Sequence, residues 1–505
     1  MVAAEAGSGQ VARMRGLTLA ELSAALPPGA LAAAQRCSAR LRSVLPEPDR
    51  LGRNMVLVAF GGGKDSAYTV AFVRAMQLIL FRAHGCTFRL RTVTMRHAGM
   101  PAAVMANIDR TYRALRLQQD PQCELLLIDG SEITAFDPDA PQREHVIRRN
   151  RLDILMTGHR TFADGRPTFC NACNLSVARS FGLAAAYGDG ADVIITGDSQ
   201  QEQRQYALWI SRLASSLGVP ADGQPRGGIG RLLTRLDGIA QVYFTDIHGP
   251  GATTIPERRV EAGVPERLQF FSVYPDTEYA SGHHMELLTG FLGFGFDEIA
   301  FSFTESDCGN PTLMAHLRGL RCEHVFGRPY AEGMREYADF ALGLMASKDF
   351  PAGLIELMRQ RYAGPDAMAR RREAAAAYAL TTFGLTEEQL ICMVWSPFGD
   401  HGARLDEFLH REHPALAGQA SQIRALLASA DRDVPDLDAL AALHRVSGLE
   451  LTALRRLYRS KVRDWAKADA SNVIGTVLAG DPHKAVIQTS HARHGPGISE
   501  QISGR

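Results

Sequence analysis

The sequence predicts an α/β protein, in which an open parallel sheet carries helices on both faces and helical extensions precede and follow it. Three observations predict this class. Apolar, β-prone runs alternate with stretches of helical spacing over residues 54–330, and the first run breaks into glycines just before a helical pattern. Hydrophobic residues also make up 46% of the 505 residues, which is ample for a sizeable core.

The chain divides into four expected regions. Residues 1–53 are a helical lead-in, with helical spacing on both sides of a Pro-Pro pair, and residues 54–330 hold the sheet and the catalytic site. Residues 331–481 form a helical region dominated by Ala, Leu and Arg. Residues 482–505 are polar and contain glycine, so we expect a loose tail there.

The first predicted strand, Val56 to Phe60, ends in three consecutive glycines, Gly61, Gly62 and Gly63. Glycine lets the backbone bring its N–H groups close to phosphate oxygens, and the helix that follows adds the positive end of its dipole. Lys64 adds a mobile positive charge. The ordinary P-loop motif needs Ser or Thr directly after its Lys, where this chain has Asp65, and the G-x-G-x-x-G dinucleotide fingerprint is also absent. The pattern therefore predicts a phosphate site of another kind.

This segment resembles the signature S-G-G-x-D-S of the PP-loop ATP pyrophosphatases, the adenine nucleotide alpha hydrolase-like superfamily. The match runs from Gly62 to Ser66, and Gly61 stands where that family usually has Ser. The resemblance implies a HUP-like nucleotide-binding fold that uses ATP and Mg²⁺, and an enzyme that splits ATP into AMP and pyrophosphate. It implies that Lys64 and Ser66 bind pyrophosphate and that Asp65 assists with Mg²⁺ or with the shape of the loop, so Lys64 and Asp65 are candidate catalytic residues.

The next predicted strands are Arg89 to Met95 and Glu124 to Asp129. Ligands of open parallel sheets lie at the carboxyl ends of the strands, so Thr94 and its neighbours Met95 and Arg96 are candidates to wall the adenine. A plain exit from strand to loop explains these residues equally well.

Two thiols, Cys170 and Cys173, stand three positions apart at the predicted start of a helix. This spacing suits a common metal ion, because both side chains can point at it and the helix N-terminus favours the thiolate. A redox pair, a zinc half-site, an iron–sulfur half-site and coincidence all remain open. Cys308 is the candidate third ligand, since it lies in a polar turn rather than in an apolar run.

The order of these landmarks resembles the iron–sulfur tRNA thiolation enzymes of the two-thiocytidine synthetase type over about residues 54–330. The resemblance implies a [4Fe–4S] cluster on Cys170, Cys173 and Cys308, with an open iron position that makes Cys308 a candidate catalytic residue. The family's turn after its next strand keeps Gly197 here, but Asp198 and Glu202 are the only carboxylates left for Mg²⁺. Gly197 and Asp198 thus join the predicted ATP site.

A zinc site is the alternative to the cluster. Cys322 and His324 could complete four-coordinate zinc together with the C-x-x-C pair. The four other cysteines stand in apolar or mixed surroundings and are expected to pack in the core; they are Cys37, Cys86, Cys123 and Cys392.

Downstream, Leu268 to Pro275 is expected to form a further core strand, and a helix is predicted through Met285 to Leu292. Glycine-containing linkers span 218–230 and 249–254; the first follows a predicted helix from Gln200 to Ser216 and could be a lid over the nucleotide or a surface loop.

The charges do not identify the substrate. The 55 basic and 55 acidic residues balance, whereas a protein that grips tRNA through phosphates usually has a basic surplus. A basic patch from Arg445 to Lys467 could contact RNA, or it could be an ordinary solvated helix face. The cluster from Arg143 to Arg151 allows the same two interpretations.

Three hypotheses therefore stand. The first is a sulfurtransferase that adenylates an oxygen of tRNA or of a small molecule and replaces it with sulfur from a donor. The second is a PP-loop amide-forming ligase or amidotransferase with structural zinc and an ammonia source. The third is a non-enzymatic nucleotide-binding protein with a degenerate PP-loop. The absence of secretory and membrane-spanning patterns favours the cytoplasm and no membrane partner, and the chain could form a homodimer.

Overall fold

The computed structural model describes residues 2–198, 200–220, 228–277, 284–295, 297, 299, 309–347, 350–429, 437–463, 472–481, 485–491 and 498–504. Its eight described strands are β1 Met55–Ala59, β2 Arg89–Arg96, β3 Cys123–Asp129, β4 Glu132–Ala135, β5 Val193–Ile195, β6 Gln269–Phe270, β7 Ala485–His491 and β8 Ile498–Gly504.

The helices of the amino-terminal half alternate with these strands. They are α1 Val2–Ala25, α2 Ala30–Val44, α3 Lys64–His84, α4 Ala102–Ala114, α5 Glu144–Gly158, α6 Asn171–Ala186, α7 Gln200–Ser216 and α8 Ile229–His248. The carboxyl-terminal helices are α9 Pro311–Leu320, α10 Tyr330–Ser347, α11 Ala352–Arg361, α12 Gly364–Phe383, α13 Glu387–Trp395, α14 Gly399–Gly402, α15 Leu405–Glu412, α16 Pro414–Ala417, α17 Ala420–Ala428, α18 Leu437–Ser447, α19 Leu451–Tyr458 and α20 Val473–Ala479.

Six strands form one sheet in the order β4-β3-β2-β1-β5-β6. All neighbouring pairs from β3 to β6 are parallel. Strands β2 and β3 follow one another on one side of β1, and the later strands β5 and β6 lie on its other side. The predicted α/β class, with helices on both faces and helical extensions, is confirmed.

The edge strand β4 corrects the prediction of a purely parallel sheet, because it pairs with β3 in the antiparallel sense. Gly130 lies between the paired residues Asp129 and Glu132 and has φ +67°, a conformation that glycine adopts without strain. The short loop can therefore reverse the chain at once. The Asp129-Gly130 dipeptide is a common hairpin signal, so the local sequence does indicate this turn.

The two faces of the sheet bury different helices, as the period-two alternation of a strand requires. In β1, Leu57 packs with α6, α8 and the carboxyl-terminal helices, whereas Val56 and Val58 pack with α1 to α4. Strand β5 repeats the pattern, with Ile194 on the first face and Val193 on the second. The carboxyl-terminal helices thus extend one face of the sheet.

An ion-pair network fastens the helical lead-in to the sheet region. The guanidinium of Arg15 in α1 lies 2.6 Å from Asp120, and the fully buried Arg74 of α3 lies 2.9 Å from the same carboxylate. Burial alone would raise the pKa of Asp120, but the hydrogen bond from Arg15 and the charge of Arg74 lower it to about 2. Asp120 therefore stays ionised inside the fold.

Three other expectations differ from the structure. The predicted strand from Leu268 to Pro275 is reduced to the two residues of β6, and the helix expected through Leu292 is a π-helical segment, Glu286–Phe291. The stretch expected to be a loose tail contains β7 and β8, which pair antiparallel. The division into four regions remains a prediction. Within the described ranges, every helix is too short or too polar to cross a membrane.

Candidate nucleotide and acceptor site

The reversal of strand order places a crevice at the carboxyl ends of β1 and β5. These two strands are parallel neighbours, and the chain leaves them in opposite directions along the sheet. Open α/β sheets bind their ligands in such a crevice, beyond the strand ends. The predicted turns at Gly61 to Gly63 and at Gly197 follow these two strands directly.

The turn after β1 has the backbone geometry that its glycines predict. Gly62 has φ +78°, and a Cβ added there would lie 2.5 Å from Val104 of α4, so a larger residue would be strained and would clash. Gly63 is extended and precedes α3, whose first helical bond runs from the Ala67 N–H to the Gly63 carbonyl at 2.9 Å. The N–H groups at such a helix start point outwards, where they can meet an anion.

Lys64 and Asp65 contact each other at the start of α3. The Lys64 Nζ lies 2.8 Å from Asp65 Oδ1 and 5.4 Å from the centroid of the Phe350 ring. The lysine side chain is 13% exposed and that of Asp65 44%, so the positive charge is screened little by water. Ser66 donates its hydroxyl to the Gly63 carbonyl at 2.9 Å, which shapes the turn.

Tyr274 joins the two strand ends. Its hydroxyl donates to the Gly197 carbonyl at 2.7 Å and lies 3.2 Å from the hydroxyl of Thr69 in α3. A Cβ at Gly197 would lie 3.5 Å from the Ser66 nitrogen, so the two turns pack against each other. Sequence reasoning missed Tyr274, which it had placed inside a strand; the Tyr-Pro pair that ends the segment was the available signal.

Three carboxylates surround this tyrosine. Burial raises the pKa of Tyr274, and the negative charges of Asp65, Asp198 and Glu202 raise it further. Across the described ranges, no three His, Cys, Asp or Glu side chains converge tightly enough to enclose a metal. Mg²⁺ in nucleotide sites needs only one or two carboxylates, because substrate phosphates and water supply its other ligands. Asp198 and Glu202 are thus candidate ligands for a Mg²⁺ ion that a nucleotide would bring.

Thr94, Met95 and Arg96, the residues predicted to wall the adenine, lie at the carboxyl end of β2. The polar side chains among them make hydrogen bonds within the protein. The Thr94 hydroxyl donates to the Phe60 carbonyl at 2.8 Å and is fully buried. The guanidinium of Arg96 pairs with Asp129 of β3 and donates to the Pro141 carbonyl at 2.9 Å. Thr94 thus supports the end of β1, directly before the glycine turn.

The two thiols of the C-x-x-C pair are both buried. Cys170 ends a π-helical turn, Arg166–Cys170, and Cys173 lies in the first turn of α6, with exposures of 3% and 8%. Gly309 lies beside Cys170, since a Cβ there would be 3.1 Å from Cys170 Sγ. Cys308, the residue before Gly309, is outside the described residues. The described part of the predicted cluster site is therefore two buried thiols on adjacent turns.

The proposed zinc partners lie elsewhere. Cys322 is fully buried against Gly333 of α10, and His324 lies 3.0 Å from Glu412 of α15. Both follow α9, a helix of ten residues that spans about 15 Å and carries the chain away from Gly309. No group of three such metal ligands occurs among the described residues, and the zinc alternative stays a prediction.

A cavity of about 700 Å³ lies between α6, α7 and α8, beside the end of β5. We call it the α6–α8 cavity. One end is lined by Asn171, Thr196, Asp198 and Gln203, and the remainder mostly by aliphatic and aromatic side chains. Asn171 lies between the two cysteines, and Asp198 directly follows Gly197. The cavity thus lies between one face of the C-x-x-C helix and the turn after β5, and no sequence pattern indicated it.

The basic patch from Arg445 borders a second cavity, of about 910 Å³, which we call the arginine cleft. Its side chains are engaged in the protein. Arg456 donates to the carbonyls of Thr245 and Ile247 at 2.6 and 3.0 Å, and Arg459 donates to the carbonyl of Ser429 at 3.0 Å. Arg456 and Arg459 therefore stabilise helix ends, a role that neither interpretation of the patch included. The last residues of the patch, 464–467, are outside the described ranges.

The other arginine cluster is likewise engaged. Arg143 lies 2.7 Å from Glu132, Arg149 lies 3.6 Å from Glu257, and Arg151 donates to Gln389 at 3.1 Å. These contacts join α5 to its neighbours.

Comparison with known proteins finds no protein family and no curated relative that matches this chain. The sheet order is compatible with the PP-loop resemblance.

Proposed function

We propose that this chain is a PP-loop ATP pyrophosphatase that adenylates an oxygen of its substrate. The observation that carries the proposal is the contact between the two strand-end turns, where Gly197 packs against the nitrogen of Ser66 at the reversal of strand order. A nucleotide held in this crevice would lie between a glycine turn with a helix N-terminus on one side and carboxylates on the other.

Each residue of the crevice has a role in this proposal. The backbone from Gly61 to Ser66 and the Lys64 ammonium would hold the β and γ phosphates, so Lys64 would exchange its bond to Asp65 for phosphate oxygens. Asp198 and Glu202 would orient Mg²⁺, which supplies positive charge to the leaving pyrophosphate. These contacts favour the charge that develops on the leaving group.

The first step is a displacement at the α phosphorus of ATP. The substrate oxygen forms a bond to that phosphorus while the bond to the oxygen bridging to the β phosphate breaks, and pyrophosphate leaves with the electron pair. The substrate then carries AMP on its former carbonyl-type oxygen. A nucleophile can add to the adjacent carbon, and AMP departs with that oxygen.

Sulfur is the nucleophile that the cysteines favour. The thiols of Cys170 and Cys173 are buried, and Cys170 lies beside Gly309, the residue after Cys308, so Cys170, Cys173 and Cys308 would hold the cluster. A [4Fe–4S] cluster with an open position can carry sulfide. A donor at the sulfide level would replace oxygen by sulfur without a reductant, releasing AMP and a proton.

The test measures binding of α,β-methylene-ATP, which cannot be split between its α and β phosphates, by calorimetry in the presence of Mg²⁺. We expect wild-type protein to bind one equivalent and Lys64→Ala to lose at least tenfold in affinity, because the charge at the phosphates is removed. Lys461→Ala is the matched control, since Lys461 is exposed and borders the arginine cleft. Equal binding by all three proteins, or none by wild type, would remove the PP-loop from the mechanism.

The nature of the nucleophile is decided by iron and acid-labile sulfide content after anaerobic purification. About four of each per chain supports sulfur transfer, and Cys170→Ala should then lose iron while the exposed Cys86→Ala retains it. Nucleotide binding without iron would instead favour the amide-forming alternative with ammonia.

A further inference from the structure

We propose that the α6–α8 cavity holds the acceptor, and that this acceptor is a small molecule with an apolar body and a carbonyl, amide or carboxylate oxygen at one end. This inference rests on the proposed function and names the substrate class of the same site. The cavity volume of about 700 Å³ falls within the range of sites for small ligands.

The residues that line most of the cavity indicate that the larger part of the ligand is apolar. Leu175, Phe181, Ile210, Leu233 and Ile239 line the cavity from three different helices. Apolar walls of this kind favour the burial of hydrocarbon or aromatic rings and disfavour charged or heavily hydroxylated molecules. The arrangement is that of a cavity for a mostly apolar guest.

The polar end determines where the reactive oxygen lies. The side chain of Asn171 lines the cavity with only 4% of the residue exposed. Its amide interacts with the Tyr243 hydroxyl and opposes the rise that burial causes in the pKa of that group, but its Nδ2 makes no hydrogen bond of ordinary geometry among the described residues. An amide nitrogen has two N–H donors, so one of them is available to an acceptor atom of the ligand. Tyr243 is also at this end, with its hydroxyl 3.3 Å from that of Thr157.

This end of the cavity also meets the nucleotide crevice. Asp198 lines the cavity, while Gly197 before it packs against Ser66 at the start of α3. An oxygen held near Asn171 and Asp198 would therefore lie between the crevice and the C-x-x-C helix.

An RNA substrate has less support from the surface. The arginines that the sequence suggested for phosphate contacts donate instead to backbone carbonyls and hydroxyls of the protein. Phosphate binding by RNA-binding proteins depends on cations that can release their counterions to the polymer. The apolar cavity and the engaged arginines together favour a small acceptor over tRNA.

The first arm of the test uses 1-anilinonaphthalene-8-sulfonate, an apolar fluorescent probe, with α,β-methylene-ATP binding measured in parallel. Ala207 lines the cavity from α7, whereas the next residue, Leu208, is 58% exposed. We expect wild type and Leu208→Phe to bind one equivalent of the probe, and Ala207→Phe to lose at least tenfold in affinity while its nucleotide binding stays unchanged. Ala178→Leu fills the cavity from α6 and replaces Ala207→Phe if that variant does not fold.

The second arm measures pyrophosphate release from ATP with a panel of aryl and medium-chain carboxylic acids and amides, and separately with unfractionated tRNA. Stimulation by panel members that also displace the probe supports the proposal. Stimulation by tRNA alone, or undiminished probe binding by both filled variants, would overturn it. If wild type binds the probe in this cavity but no nucleotide, the proposed function fails and the cavity remains a binding site, so the two failures are distinguishable.

Discussion

The α6–α8 cavity and the arginine cleft differ in how their polar groups are used. In the arginine cleft, the guanidinium groups are bonded to carbonyls and carboxylates of the protein. In the α6–α8 cavity the walls are mostly apolar. The buried Asn171 amide there interacts with the Tyr243 hydroxyl, and its Nδ2 makes no hydrogen bond of ordinary geometry among the described residues. Charge in a cavity wall is therefore a poor guide to ligand binding, because a charged side chain that is already paired has a structural role.

The largest effect should come from breaking the pairing beneath the arginine cleft. Asp153 of α5 is buried and lies 2.9 Å from Arg258 and 2.7 Å from His248, both of which line the cleft. We expect Asp153→Ala to lower the free energy of unfolding by about 3 to 5 kcal/mol, because it leaves a buried guanidinium without its counter-charge. Urea unfolding followed by circular dichroism measures this.

The control for this prediction is Glu450→Ala. Glu450 also borders the cleft, but its side chain is 84% exposed, so its removal should change stability by less than about 0.5 kcal/mol. A small effect of Asp153→Ala on stability, together with a change in binding to a polyanion such as heparin, would contradict the prediction. The cleft would then be a ligand-binding site rather than a set of structural ion pairs.

A pH effect should follow from His159, which precedes the cleft residue Arg160. Its ring is fully buried without a hydrogen-bond partner among the described residues, and burial lowers its pKa to about 3. In the unfolded chain the pKa of this ring is near 6.5, well above its pKa in the folded protein. The free energy of unfolding is therefore unaffected by this group above pH 6.5, and it falls as the pH is lowered from 6.5 towards 3, because the unfolded state binds the proton first. The loss should reach roughly 2 kcal/mol at pH 5.

The measurement compares urea unfolding at pH 7 and pH 5 in wild type and in His159→Leu. The variant should lose less stability on acidification than wild type, whatever its stability at pH 7, since the titrating ring is gone. An identical pH dependence in the two proteins would show that the His159 ring has a hydrogen-bond partner in the folded protein. The ring would then be paired within the protein, as the arginines of the cleft are.

The smallest effect concerns the α6–α8 cavity. Ala207→Leu adds apolar volume within an open space, so we expect a gain of about 1 kcal/mol in the free energy of unfolding. Leu208→Ala on the exposed side of the same helix should change stability little. A marked destabilisation by Ala207→Leu, read by thermal denaturation, would indicate that the walls are already close-packed and that the cavity has no room for a guest.

The sequence predicted most of the elements around the crevice. β2, β3 and the glycine turn follow from local patterns, and α7 has the predicted bounds of Gln200 to Ser216. Tyr274 was not predicted, because its role depends on bringing β6 beside β5 rather than on its neighbours along the chain. The edge strand β4 was not predicted either, although the Asp129-Gly130 dipeptide before it is a hairpin signal in the local sequence.

The sequence by itself determined the α/β class and the glycine turn after β1, because alternation of apolar residues and a run of glycines act over a few neighbouring positions. Tertiary structure alone decided which polar side chains have partners. His324 meets Glu412, and Arg456 meets the carbonyls that end α8, although both partners are distant in the chain. It also decided that α6, α7 and α8 enclose an apolar cavity beside Asn171, because a cavity is formed by packing between elements and leaves no pattern within any one of them.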